Sequence, residues 1–443
     1  MPRGARMEAF VKTVCEQVRF KRAKPGIARE LMDHMCDQQQ AYLRQGMDED
    51  EAEKRAVEQM GDPVTVGMQM DLAHRPKPQW GFFILTVGLL AAGIAVQGAL
   101  FGQGDSDRLF VTLIAAALGG LGMAAAYFAD YTVLARAPMG IYGGLLAAAL
   151  LLYVLFPAEG GEAQRGTLLF LLFPTAYAGI VFHYRKRGYG GLMISFGFLA
   201  AGVLFCMWCF RIRMGFLCLF SGLLLLTLAV VKGDYGVKKR WALPLLYLPV
   251  AAGCGVFAFG YWQRLMTAFS REEGLGYLTA VTRQLLEGAA LLGPGATAGS
   301  LGRLPELHTD YLLTFLIVRF GWLPFFLVLG LLALFFGYAV VRCLRQRGGL
   351  ARMTAAAVLS PLLIETGFYL AANLGWMELS SLPLPLLSYG GAGLVLHLVL
   401  IGFLLCVFRC GSMEGPPPLA CQTHAWIQLA DGVLSVRFRK PRS

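Results

Sequence analysis

Polar and apolar positions divide the chain into two unequal parts. Up to residue 79, apolar residues recur at helical spacing among many polar ones, as in GIARELMDHMCDQQQAYLRQGM. From Trp80 onward there are about ten apolar runs, each near the ~20 residues that a helix needs to cross the membrane hydrocarbon. These runs centre near residues 90, 119, 148, 175, 199, 222, 252, 331, 362 and 398. The pattern predicts an all-α, polytopic membrane protein with a small N-terminal helical domain.

The N-terminal part, residues 1–75, is predicted to contain three or four helices. The stretch DEDEAEKRAVEQMGDP combines an acidic helix start, a stripe of Ala, Val and Met, and a Gly-Asp-Pro stop. Residues 76–79 then form a short basic linker. This part resembles the prefix domain that precedes some bacterial permease-like membrane proteins, which implies a regulatory or docking module. A purely structural helical cap is the alternative.

Composition and loop charge predict how the membrane part is oriented. The chain is 56% hydrophobic and 15% charged, with a mean hydropathy of +0.57, whereas soluble domains carry about 25% charged residues. The net charge of +11 indicates cytoplasmic loops rather than a nucleic-acid surface, because Lys and Arg collect in the loops YRKRGY, KGDYGVKKR and RCLRQRGGLAR. With an even number of spans, both termini are predicted in the cytoplasm and the long segment 263–310 outside.

Candidate chemistry lies at the end of that long segment. In RLPELHTDYLL, three ionisable residues, Glu306, His308 and Asp310, precede an apolar run. A loop that only had to be soluble would not need a carboxylate and an imidazole at the edge of the membrane. No second ligand cluster accompanies the pair Cys206 and Cys209, so no metal site is predicted from the cysteines.

Two motifs resemble those of the FtsW/RodA/SpoVE family, the shape, elongation, division and sporulation (SEDS) proteins. LPELHTDYLL, residues 304–313, is similar to the family's LPE-x-HTDFIF, and SSLPLPLLSYGGAG, residues 380–393, to its TG-x-PLPF-x-SYGGSS. Asn373 and Gly375 match an upstream N-x-G, and Arg108 falls where the family usually has Arg-Gln. The resemblance covers roughly residues 80–410.

The resemblance implies a peptidoglycan glycosyltransferase that polymerises lipid II at the outer face of the bacterial cytoplasmic membrane. Lipid II and membrane lipids would be its ligands, and a class B penicillin-binding transpeptidase its partner. A sugar hydroxyl is a weak acid, so a positioned carboxylate that accepts its proton accelerates attack by ~10²–10⁴-fold. Asp310 is the predicted base. The leaving pyrophosphate needs positive charge, from arginines or a divalent cation.

Further residues are predicted to bind substrate or to shape the site. Glu306, His308 and Thr309 would organise the loop around Asp310, and Ser388, Gly390 and Gly391 would form a tight loop against it, the glycines permitting close backbone approach. The candidate phosphate ligands are arginines: Arg108, Arg211, Arg213, Arg264 and Arg303. Glu365 and His397, inside spans, are expected to face the bundle interior in a structural hydrogen bond.

Departures from the family pattern keep two other functions open. The family's QPSE-x-x-K appears here as FPTAYAGI, so Ala176 replaces the Glu and Gly179 the Lys. These losses favour a non-catalytic scaffold or activator of a cell-wall synthase. A transporter of a lipid-linked precursor is the second alternative, disfavoured because no chain of intramembrane acids is present for ion coupling.

The tail, residues 411–443, begins with a Pro-rich linker. Its segment WIQLADGVLSVRFR is compatible with a hairpin turning at Asp431 and Gly432, or with a disordered basic tail near anionic lipid.

Overall fold

The structure is a computed structural model that divides into two compact units. One, the head unit, comprises Met1–Pro76 with Met413–Ser443, and the other, the membrane unit, comprises Lys77–Ser412. The structure describes residues 5–20, 23–75, 78–101, 106–155, 168–209, 212–268, 277–305, 307, 309–346, 348–377, 383–388, 390–411, 425–430 and 433–438.

Four helices form the N-terminal part of the head unit: α1 (Ala5–Gln17), α2 (Lys24–Arg44), α3 (Glu49–Gln59) and α4 (Pro63–Ala73). Asp62 caps α4 by accepting a hydrogen bond from the Thr65 amide at 2.8 Å, and Pro63 occupies the first helical position, where a missing N–H costs nothing. The core of this part is fully buried at Val14, Met35 and Ala56. These residues therefore pack around a core of their own.

The tail contributes a two-stranded antiparallel sheet to the head unit. Strand β1 (Ala425–Ala430) pairs with β2 (Val433–Phe438), and Ala430 lies opposite Val433. Of the two alternatives for the tail, the structure therefore has the hairpin.

The membrane unit is all-α, as the hydropathy pattern predicts. Its helices are α5 (Trp80–Phe101), α6 (Ser106–Phe128), α7 (Val133–Arg136), α8 (Pro138–Leu155), α9 (Phe173–Tyr184), α10 (Gly188–Cys209), α11 (Ile212–Lys232), α12 (Lys239–Ala268), α13 (Tyr277–Glu287), α14 (Leu312–Phe320), α15 (Trp322–Leu344), α16 (Gly349–Asn373) and α17 (Gly391–Cys410). Short 3₁₀ helices cover Leu168–Leu172 and Ala298–Arg303.

Nine helices in the described part of the chain are long and apolar enough to cross a membrane. They lie in α5, α6, α8, α10, α11, α12, α15, α16 and α17. The tenth predicted run is the shorter apolar stretch Leu168–Tyr184, which contains α9. The prediction of a polytopic all-α membrane protein with about ten spans is confirmed.

Helix α9 is shorter because it lies in the middle of the bundle. Every residue from Phe173 to Val181 is buried, and the helix packs against α7, α8, α10, α11 and α16. A helix enclosed by protein on all sides does not itself have to match the thickness of the hydrocarbon.

The long segment between α12 and α15 is folded rather than extended. Helix α13 and the second 3₁₀ helix pack with α14 around a buried apolar cluster that includes Val281, Leu285, Leu304 and Phe315. Backbone hydrogen bonds join Gly293 to Phe320 and Gly295 to Val318, each at 2.9 Å. We call residues 277–321 the cap segment.

The helix is interrupted at Gly321, which separates the cap segment from the following span. Gly321 has φ +100°, and a Cβ at this position would lie 2.6 Å from the Leu291 carbonyl oxygen, so a larger residue would be strained and obstructed. The apolar run after Asp310 is therefore two helices, the short buried α14 and the spanning α15, rather than one continuous crossing.

Candidate active site

The end of α16 holds the backbone around Asp310. The Asn373 side chain donates from Nδ2 to the Asp310 carbonyl oxygen at 2.8 Å. Its Oδ1 accepts from the Thr314 amide at 2.9 Å. The Thr314 hydroxyl donates to the Asn373 carbonyl oxygen, also at 2.9 Å. Asn373 and Thr314 are completely buried, so these hydrogen bonds do not compete with water and orient the loop strongly.

Tyr369, one turn earlier on α16, holds the same loop from the other side. Its hydroxyl donates to the Thr309 carbonyl oxygen at 2.9 Å and accepts from the Leu312 amide at 3.1 Å. The ring is fully buried. Residues 309–314 are thus joined to α16 at four backbone positions, and Asp310 lies between the two anchors.

Asp310 itself lies partly exposed, two residues before the first residue of α14. The dipole of a helix favours a negative charge near its N-terminal end. A carboxylate in this position is reachable from outside the bundle and has a fixed backbone.

The loop that follows α16 is tied to the cap segment by Arg283, a residue that the motif analysis did not single out. Arg283 Nε donates to the Gly375 carbonyl oxygen at 2.7 Å. Gly375 has φ +69°, and a Cβ there would lie 2.8 Å from Arg283 Cγ. Both the conformation and the close approach require glycine, which explains the Asn373-x-Gly375 spacing. Gln284, the residue after Arg283, accepts a hydrogen bond from the Arg303 guanidinium at 3.0 Å.

The segment 383–388, with Ser388, packs against α5 rather than against open solvent. Gln97 Nε2 donates to the Leu387 carbonyl oxygen at 2.7 Å, and Thr112 of α6 donates to Gln97 Oε1 at 2.9 Å. A Cβ at Gly93 would lie 2.4 Å from the Leu386 carbonyl oxygen. Ser388 is buried and donates to the carbonyl oxygen of Leu384 at 3.2 Å.

Gly390 and Gly391 were predicted to allow close backbone approach to the loop of Glu306 and His308, two residues that lie outside the described ones. Among the residues that the structure describes, none has an atom within 4 Å of a Cβ built on Gly390, and the nearest atoms to one on Gly391 are at an ordinary 3.8 Å. Gly390 is instead required by its φ of +154° immediately before α17. The close approach occurs at Gly93, on the helix opposite.

Several predicted site residues cannot be compared with this geometry. Glu306, His308 and Arg211 lie outside the described residues, as do the side chains of Arg213 and Arg264. Arg108 is half-buried at the start of α6, and its guanidinium lies 5.8 Å from the centre of the Phe101 ring. Thr309 contributes its carbonyl oxygen to the Tyr369 contact. No group of three or more potential metal ligands occurs among the residues that the structure describes.

Part of the chain matches the model of a known protein family. Residues 215–411, which include the cap segment, α16 and α17, match the model of the FtsW/RodA/SpoVE cell cycle proteins. Over these residues the chain is similar to the FtsW/RodA/SpoVE family.

Individual relatives are similar in sequence to this chain over stretches of different length. A probable peptidoglycan glycosyltransferase FtsW of Thioalkalivibrio sp. (strain K90mix) is 34% identical over 28% of this chain, and the match spans only 32% of that protein. A probable peptidoglycan glycosyltransferase FtsW of Halorhodospira halophila is 28% identical over 73% of this chain and 86% of its own length. A chain in a solved peptidoglycan synthase complex has the same fold, with a TM-score of 0.58 and 20% identity over 75% of this chain and 98% of that one.

The main departure from the FtsW/RodA/SpoVE motifs has a packing explanation. A Cβ at Gly179, where the family motif has Lys, would lie 2.5 Å from the Leu134 carbonyl oxygen of α7. Ala176 is likewise buried, with 4% of its surface exposed. The backbone of α7 therefore occupies the space that the family's Lys side chain would need, so this part of the bundle is closed.

Glu365 and His397 form a buried hydrogen bond between α16 and α17. His397 Nε2 and Glu365 Oε2 are 3.0 Å apart, and both side chains are essentially inaccessible. The prediction that they face the bundle interior is confirmed. The pair joins the helix that holds Asp310 to the helix that follows Gly390.

Proposed function

We propose that the protein is a peptidoglycan glycosyltransferase that polymerises lipid II, with Asp310 as the general base. The observation that carries this proposal is the attachment of residues 309–314 to Asn373 and Tyr369, which holds an accessible carboxylate in one place at the end of a spanning helix. A base needs a fixed position relative to the hydroxyl whose proton it accepts.

The proposed reaction needs one carboxylate, which acts as the base, and no second carboxylate to protonate the leaving group. Chain extension joins a sugar hydroxyl to an anomeric carbon and expels a lipid pyrophosphate, which leaves without protonation. The paired carboxylates of a glycoside hydrolase are therefore not needed. Arg283 and Arg303 belong to the cap segment that carries Asp310, and guanidinium groups there would favour the developing pyrophosphate charge.

An apolar groove supports a substrate with a lipid tail. It measures about 520 Å³ and lies between α6, the first 3₁₀ helix and α17, with Val111, Leu118, Leu168, Gly391 and Val399 among its lining residues. Arg108 lies one turn of α6 before Val111. An apolar chain in the groove would leave its charged head near this arginine, at the same end of α17 as Gly390.

The orientation of α16 supports an extracytoplasmic site. This helix begins beside the basic loop that contains Arg345 and ends at Asn373, and 25 residues of helix span about 37 Å at 1.5 Å per residue. Since basic loops favour the cytoplasmic side, Asp310 would face outside and both chain termini would be cytoplasmic. A cysteine placed at Ser300 should react with an impermeant maleimide in intact cells, and one placed at Lys54 should not. The reverse pattern would overturn this orientation.

A partner that cross-links the glycan fits this assignment. The similar chain in a solved structure belongs to a synthase complex that coordinates polymerization and crosslinking. We infer a class B penicillin-binding transpeptidase as the partner of this protein, and tagged protein should co-purify with it from membranes.

Lipid II polymerisation by purified protein, with and without this partner, tests the function. Asp310→Asn preserves size but is a far weaker base, so polymer should fall by roughly 10²–10⁴-fold while the yield of folded protein is unchanged. Asp130→Asn is the matched control, because Asp130 is a second partly buried aspartate, hydrogen-bonded to Thr132 between α6 and α7. Full activity of Asp310→Asn would refute the base assignment.

The packing at Gly179 favours one alternative, a scaffold that activates a synthase without catalysis. In that case wild type makes no polymer even with the partner present, and Asp310→Asn leaves stimulation of the partner unchanged. Polymer formed by wild type and lost in Asp310→Asn excludes the scaffold.

A further inference from the structure

Helix α4 of the head unit carries an apolar stripe that is exposed in the described part of this unit. Val64, Met68 and Leu72 are spaced four residues apart and are 40%, 53% and 65% exposed. The same helix cannot turn this stripe inward, because its opposite face, with Val66 and Met70, already packs against the core of the head. Gly67 is also closely packed, since a Cβ there would lie 2.7 Å from Gln17 Cβ of α1. Three large apolar side chains in a row on one fixed face indicate a surface with a partner.

Positive charge collects at the C-terminal end of the stripe. The buried Asp71 carboxylate accepts from the Arg19 amide at 2.8 Å and from Arg75 Nη2 at 3.1 Å. Both arginine side chains are exposed, and both arginines interact electrostatically with Asp71, so two positive charges accompany one carboxylate at this end of the stripe. The acidic residues of the head instead concentrate in α3, which packs against α1 and α2.

The chain also keeps this end of α4 near the bilayer. Six residues separate Ala73 from Trp80, the first residue of α5, and a fully extended stretch of this length reaches at most about 25 Å. Trp80 is itself exposed at the start of a spanning helix, which is where tryptophan meets the membrane interface. A lipid surface is therefore always within reach of α4, at a high effective concentration.

We propose that the outward face of α4 docks on an anionic membrane surface, with Val64, Met68 and Leu72 entering the interface and Arg19 and Arg75 facing the headgroups. An apolar stripe flanked by basic residues is the arrangement by which interfacial helices bind anionic lipid. This docking does not depend on the proposed glycosyltransferase activity. It would give the head unit a membrane-bound position that responds to lipid charge and ionic strength.

Hydroxyl-radical footprinting of the full-length protein in nanodiscs tests the proposal, because Met68 reports directly on its own exposure. In nanodiscs with about one-third phosphatidylglycerol, Met68 should oxidise several-fold more slowly than in phosphatidylcholine nanodiscs, and raised salt should remove the protection, because exposed charges are screened within a Debye length of ~10 Å at 0.1 M. Met60, at the end of α3, serves as an internal reference whose rate should not change.

Variants separate docking from a general effect on the head. Leu72→Gln and Arg19→Glu should each restore fast oxidation of Met68 in anionic nanodiscs. Two control variants should leave the protection of Met68 intact. They are Leu43→Gln, at an exposed apolar position on α2, and Lys54→Glu, on α3. Equal Met68 rates in both kinds of nanodisc would overturn the proposal. So would protection that is independent of lipid charge and rises with protein concentration, since it would indicate a second copy as the occupant.

Discussion

Asn373 offers the sharpest test of how this fold positions its candidate base. Asn373→Ala removes the donor to the Asp310 carbonyl oxygen and the acceptor for the Thr314 amide. Because Thr314 is completely buried, its N–H is left without a partner. An unsatisfied buried donor costs about 1–3 kcal/mol, and each neutral hydrogen bond adds about 1 kcal/mol net. Loss of the Asn373 side chain should therefore destabilise the local attachment by about 3 kcal/mol.

This magnitude gives two measurable consequences. Since 1.4 kcal/mol is a factor of ten in an equilibrium, local opening should become roughly 100-fold more frequent, and the Thr314 amide should exchange hydrogen faster by the same factor. A displacement of Asp310 by about 1 Å would lower polymerisation by ~10²-fold. Hydrogen-exchange mass spectrometry of the 307–316 peptide and the lipid II assay measure the two effects on the same preparation.

Two further variants make the Asn373 test specific. Asn373→Asp keeps the acceptor for Thr314 but places a carboxylate oxygen against the Asp310 carbonyl oxygen, so activity should fall although Thr314 stays protected. Thr366→Val is the control, since Thr366 lies on the same helix and its hydroxyl donates to the Leu362 carbonyl oxygen one turn earlier. If Asn373→Ala polymerises lipid II within about threefold of wild type while Asp310→Asn does not, the reasoning that Asn373 positions the base is refuted.

Two predictions concern stability. Gly179→Ala should lower the melting temperature of the purified protein, because its Cβ would lie 2.5 Å from a backbone oxygen and overpacking costs about 1–3 kcal/mol. Gly140→Ala is the control and should leave the melting temperature unchanged, because no described residue lies within 4 Å of a Cβ at that position. Equal melting temperatures of the two variants would contradict the packing argument. In the isolated fragment 1–75, which should fold on its own core, the Arg19 amide, together with Arg75, lowers the pKa of Asp71. A lowered carboxyl pKa adds stability above the unfolded value of ~3.9 that is lost as pH falls through the folded value. The melting temperature of the fragment, measured by circular dichroism, should therefore be lower at pH 3 than at pH 7. The decrease should be smaller in Asp71→Asn than in the control Asp33→Asn.

The sequence by itself determined the class of the protein, its spans and the identity of the candidate base. Spans are readable because crossing the hydrocarbon imposes a length and a composition on each segment, whatever its neighbours are. Asp310 was readable because its motif is contiguous. The helices of the head followed from local signals, such as Asp62 and Pro63 at the start of α4.

Only the tertiary structure decided what surrounds these residues. Asn373 and Tyr369 meet the Asp310 loop across about sixty residues of sequence, and no local period encodes such a contact. The glycines show the same limit. Gly390 is required by its backbone conformation, whereas Gly93 and Gly179 are approached by backbone from distant parts of the chain. A missing side chain has a meaning only once its neighbours in space are known, because packing excludes volume in three dimensions and not along the chain.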